Sequence, residues 1–175
     1  MSTNWRISSF NGVLLAAYFI PTWAIVAYRI FVSPVQGLFE RPTVSLALYM
    51  SDHLQMATMT AVRFAWLLAL GRLTVVAFFV MFVFFAARAS IRKTGGCDEA
   101  LAIALTIGSV ISFASVILAS KVGEIEALRL HASELLAMLG TGVVMLFESP
   151  AERQTAAVAA TPDLSLQQSQ LPSHR

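Results

Sequence analysis

Arg72 is the charge hardest to reconcile with its neighbours. It follows Gly71 in a 24-residue run, residues 64–87, whose only other non-hydrophobic member is Thr74. If that run enters a membrane at Phe64, the Arg72 head lies ~12 Å inside, where an unpaired charge costs at least ~2.5 kcal/mol. Such a residue needs a counter-charge or a route to water. Glu134, near the outer end of the last apolar run, is the carboxylate expected at comparable depth, so Arg72 and Glu134 form the candidate intramembrane ion pair. The competing placement starts the membrane near Leu73 and lets Arg72 reach the interface along its aliphatic stem.

Two histidines offer a different chemistry. His53 follows Asp52, and His131 precedes Glu134 by three residues, which sets the latter two on one helix face. Together the four could ligate a metal, and two helical histidines could clamp a haem. Their spacing matches no ligand motif and neither histidine falls in the middle of an apolar run, so hydrogen bonding at the membrane interface is the favoured role. No metal, haem or other cofactor is expected. The chain contains no G-x-S-x-G, phosphate-binding loop, H-E-x-x-H or dinucleotide signature, and no enzymatic reading has residues to stand on. A single cysteine, Cys97, excludes an intrachain disulfide or a cysteine-based zinc site. It is expected in a hydrophilic turn.

The elements that would position these side chains are apolar helices. Residues 100–119 are twenty in a row without a charge, ~30 Å as a helix, which is the thickness of a bilayer core. Residues 12–32 form another such run, interrupted by Pro21 and ending near Arg29. A membrane helix tolerates that proline as a kink, and the run is read as a retained span because no small-residue cleavage site follows it. Residues 64–87 carry phenylalanines all round the helix, which rules out a one-sided surface helix. A fourth run is uninterrupted only over 135–147 but reaches spanning length from Leu128, at the cost of Arg129, His131 and Glu134.

These runs predict an all-α integral membrane bundle of about four transmembrane helices in a single domain, residues 1–148. Its spans are 12–32, 64–87, 100–119 and 128–147, and 33–63 form an external or interfacial connection. From 149 to 175, prolines and polar residues replace the apolar runs, so a disordered tail is expected. Composition agrees: 57% of residues are hydrophobic, 13% are charged and the mean hydropathy is +0.72, too little charged surface for a water-soluble exterior. A net charge of +2 gives no footprint for nucleic acid.

Arg88, Arg92 and Lys93 in the 88–99 turn place that turn in the cytoplasm, with both termini on the same side. Small residues recur at every fourth position, as Ala61, Ala65 and Ala69 in the second span and as Ala104, Gly108 and Ser112 in the third. Such stripes let helix backbones approach closely in lipid. Because the turn between these spans is short, the stripes are expected to pack the two spans together, or else to face another chain.

The function expected is that of a small multi-span protein of a bacterial-type inner membrane, non-enzymatic. It would act by helix association with itself or with a larger membrane complex. The alternative is an oligomeric small-solute transporter or channel that uses Arg72 and Glu134. A redox subunit holding haem through His53 and His131 is a third reading. The lipid bilayer is the one partner common to all.

Overall fold

The computed structural model describes residues 7–52, 58–88 and 96–160. All regular structure among them is helical: α1 (Ile7–Val32), α2 (Pro34–Leu38), α3 (Val44–Asp52), α4 (Thr58–Ala87), α5 (Gly96–Val122) and α6 (Ile125–Ala160). Four of these, α1, α4, α5 and α6, contain segments long and apolar enough to cross a membrane. The chain is an all-α, multi-pass membrane bundle.

Around the bundle α1 packs on α4, α4 on α5 and α5 on α6, and a less extensive α6–α1 contact closes the ring. Its core is built from flat and small side chains. The Phe19 ring stacks on Phe79 at 5.7 Å between centroids, and Phe82, Leu101, Ala104 and Met138 fill the space around them. Lipid tails are as apolar as these side chains, so close van der Waals contact holds the helices together. At the end where α1 begins, the Glu148 carboxylate of α6 accepts hydrogen bonds from the backbone N–H groups of Ile7 (3.0 Å) and Ser8 (3.2 Å) and from the Ser8 hydroxyl. A carboxylate on the first free N–H groups of a helix complements its dipole. The bond also pins the two neighbouring spans whose mutual packing is least extensive. Between α5 and α6, Gly123 adopts φ 77°, and the Glu124 N–H returns to the Ala119 carbonyl at 3.0 Å. That is the left-handed helix ending for which glycine is suited.

The connection after α1 folds back onto the bundle. Gly37 sits directly on the backbone of Ile30, the Thr43 hydroxyl donates to the Gly37 carbonyl at 2.5 Å, and Arg29 pairs with Glu40 at 2.7 Å. Short helix α3 then packs against α5. Ser45, expected to be accessible in an external connection, is therefore buried. Cys97 likewise lies in the first turn of α5 and joins the main core, so the expected hydrophilic turn is corrected to a packed helix start.

Several expected boundaries also move. Helix α1 begins at Ile7 rather than at residue 12, and α4 begins at Thr58 rather than at 64. Helix α6 continues to Ala160, past the expected end of the folded domain at 148. The cause is visible in the sequence, since Ala151–Ala160 contains five alanines with Glu152, Arg153 and Gln154, all good helix formers, beyond a single Pro150. Residues 161–175 of the expected tail, and His53, lie outside the described residues.

The two small-residue stripes have different neighbours. Ala65 and Ala69 are fully buried against Ala27 and Ile30 of α1, Leu38 of α2 and Ala47 of α3, with Ala61 at the edge of that cluster. The expectation that this stripe faces the third span is corrected. Alanines in the N-terminal part of α4 instead leave the room into which the folded-back connection fits. Ala104, Gly108 and Ser112 face the bundle interior, where Gly108 lies against Met138 of α6 and Val75 of α4.

Candidate functional site

The bundle interior turns polar one helical turn beyond Phe19 on α1 and two turns before Phe79 on α4. Arg72 is the largest fully buried side chain among the described residues, with 1% of its surface exposed, and His131, Trp23 and Glu134 around it have 2%, 3% and 6% exposed. Four elements supply these groups. Trp23 comes from α1, Arg72 from α4, His131 and Glu134 from adjacent turns of α6, and the Pro42 carbonyl descends from the segment between α2 and α3.

The Pro42 carbonyl accepts twice, from Arg72 Nη2 at 3.1 Å and from His131 Nε2 at 3.1 Å. Glu134 is held by two ring nitrogens, with Trp23 Nε1 donating to Oε1 at 3.3 Å and His131 Nδ1 opposite Oε2 at 3.0 Å. The Arg72 guanidinium lies over the Trp23 ring, 5.6 Å from its centroid. Glu134 and Arg72 line the same pocket, but the ion pairs formed in direct contact among the described residues are Arg29–Glu40, Arg41–Glu126 and His131–Glu134. The expected direct Arg72–Glu134 pair is thus corrected. Both residues belong to one buried cluster, and the carboxylate is taken by His131, which stands three residues earlier on the same helix.

Proton bookkeeping follows from the acceptors. A backbone carbonyl only accepts, so His131 Nε2 carries a hydrogen. Nδ1 then faces a carboxylate oxygen at hydrogen-bond distance, which requires one proton between them, either on Nδ1 with Glu134 ionised or on Glu134 with Nδ1 accepting. Both arrangements leave the His131–Glu134 pair formally neutral. The positive charge of Arg72 is therefore not cancelled within the cluster. Two of its three nitrogens, Nε and Nη1, have no protein partner, and neither has the buried Ser112 hydroxyl.

Over the cluster lies a pocket of about 380 Å³. Tyr18, Thr22, Ile25 and Val26 of α1 and Leu130 of α6 form its walls, the Arg29–Glu40 pair stands at its rim, and Arg72, His131 and Glu134 form its floor. The pocket opens along the α1–α6 seam, where helix packing is least extensive. Both ring nitrogens of His131 are occupied, so this side chain presents none to an iron. Among the described residues no three His, Cys, Asp or Glu side chains group as metal ligands.

Sequence reasoning missed Trp23 and the Pro42 carbonyl. Only the rotation of α1 brings the indole inward, and a backbone acceptor has no residue-type signature. Fold and site define a class, a multi-pass helical membrane protein with a charged cluster buried inside its bundle. No protein-family model, curated protein or solved structure matches the chain.

Proposed function

We propose that this chain is a non-enzymatic, multi-pass protein of a bacterial-type inner membrane that binds a small solute within the bundle and passes it across the bilayer, working as an oligomer. One observation carries the reading: a pocket of about 380 Å³ whose floor is Arg72, His131 and Glu134. Ionisable groups inside a membrane are expensive and mark solute and ion paths more often than they serve stability. Self-association is supported by the apolar groove of about 490 Å³ between α5 and α6, where Ala102, Thr106, Ser109 and Gly142 stand among larger leucine, valine and methionine side chains. These small side chains would let a helix of a second copy approach closely.

Flux tests this directly. Proteoliposomes carrying the purified chain should shrink and re-swell faster than empty liposomes in at least one gradient of potassium chloride, potassium formate, glycine or glycerol. The active particle should contain more than one chain by light scattering. Arg72→Leu should insert and fold yet lose that flux. Rates equal to those of empty liposomes across the panel would overturn the reading.

Orientation follows from the charges of the turn between α4 and α5, where Arg88, Arg92 and Lys93 support a cytoplasmic position with both termini on that side. Because Ser45 and Cys97 are buried, exposed Gln36 and Glu99 make the better probes. In a Cys97→Ala background, Gln36→Cys should react with an impermeant maleimide in intact cells, and Glu99→Cys only after permeabilisation. The reverse pattern would invert the topology and leave the fold intact.

A further inference from the structure

We infer that the buried cluster holds a small monovalent anion of about halide size between Arg72 and Ser112. The helix register sets these residues at one level of the α4–α5 interface. Gly71 faces Ile111, and Val75 faces Gly108. Because α4 and α5 run antiparallel, Arg72, three residues before Val75, meets the level of Ser112, four residues after Gly108. Both side chains are buried, and both carry polar atoms without a protein partner, Arg72 Nε and Nη1 and Ser112 Oγ. On the same helix the Thr106 and Ser115 hydroxyls donate to the carbonyl four residues back, at 2.8 and 2.9 Å. The Ser112 hydroxyl makes no such bond and remains available to a ligand.

Charge selects the ligand class. The unpartnered groups are N–H and O–H donors beside a guanidinium whose charge the neutral His131–Glu134 pair does not cancel. Pro42 has already given both lone pairs of its carbonyl, and the Trp23 face supplies no net charge. A water molecule would accept from these donors and leave the charge uncompensated. An anion answers both needs. The donor nitrogens are closed off from the surface, so the ion must be small. This inference deepens the transport reading and rests on it for passage through the bundle, while binding itself stands apart from it.

Thermal unfolding of the purified full chain in neutral detergent tests the site, with chloride, bromide, nitrate, sulfate or gluconate supplied at a fixed potassium concentration. The midpoint should rise and saturate with chloride and bromide relative to gluconate and sulfate. Ser112→Ala, which removes one neutral donor, should raise the half-saturating chloride concentration about fivefold. Arg72→Gln should abolish the halide dependence. Should Arg72→Gln fail to fold, the Ser112→Ala shift decides alone. Equal midpoints in chloride and gluconate for the unaltered chain, an equal response to sulfate, or an unchanged half-saturation in Ser112→Ala would each overturn the inference. Halide-dependent stability without flux would sustain the anion and remove transport. Flux of glycerol or glycine with no halide response would do the opposite.

Discussion

Glu134→Leu should destabilise the protein by about 3–5 kcal/mol, while Arg72→Leu in halide-free medium should cost no more than about 1 kcal/mol. The asymmetry comes from what each residue satisfies. Glu134 accepts from Trp23 Nε1 and is joined to His131 Nδ1, and its removal leaves both ring nitrogens without that partner in the interior. Arg72 makes one hydrogen bond, to Pro42, and its carbonyl partner keeps the bond to His131 when Arg72 is gone. Replacing a buried guanidinium by an aliphatic side chain also removes its desolvation cost. Adding Arg72→Leu to Glu134→Leu should recover only part of the loss, because the stranded Trp23 and His131 groups remain. Unfolding of the three variants in detergent, titrated with a denaturing surfactant, measures the cycle. Equal losses in the two single variants with full recovery in the double would show that Arg72 and Glu134 pair directly, contrary to the arrangement described above.

The depth argument that singled out Arg72 and Glu134 needed only span boundaries and the cost of a charge in lipid, and it led to two of the residues that the cluster contains. It could not supply the wiring. Which side chain takes the carboxylate depends on how α1 and α6 are rotated, and a run such as residues 12–32, apolar all round, carries no periodic signal for that rotation. The central role of Pro42 was hidden for another reason. Its contribution is a backbone oxygen, delivered by a connection whose fold-back depends on Gly37 and Thr43, and sequence shows a glycine without showing what it touches. The alanine stripe in the N-terminal part of α4 illustrates the same limit, because small residues announce close packing without naming the neighbour. Span number and helical class were legible because twenty uncharged residues allow few alternatives in a chain with so little charged surface.

Gly37 and Gly108 both lie where an added methyl group would overlap a neighbour, yet alanine at the two positions should have opposite consequences. At Gly37 the new Cβ would come within 2.8 Å of Ile30 Cα and 2.9 Å of Ile30 N. Those are backbone atoms in a continuous helix, and they cannot turn aside. Gly37→Ala should therefore push α2 off α1 and cost about 2–3 kcal/mol, in the upper part of the range for overpacking. The damage should reach the charged cluster, because the Gly37 carbonyl anchors Thr43, and the neighbouring Pro42 carbonyl holds Arg72 and His131. At Gly108 the contact is Met138 Sδ at 2.6 Å, near the end of an unbranched side chain with three rotatable bonds. Met138 can swing away, and alanine is the better helix former by up to ~1 kcal/mol, so the net change at Gly108→Ala should stay within about 0.5 kcal/mol. The same surfactant titration compares the two variants, with solute flux read alongside. Gly37→Ala should lose stability and flux together while Gly108→Ala keeps both. Comparable stability for the two would mean that α2 is not locked against Ile30 and that the Pro42 carbonyl is held over the cluster by something other than this glycine.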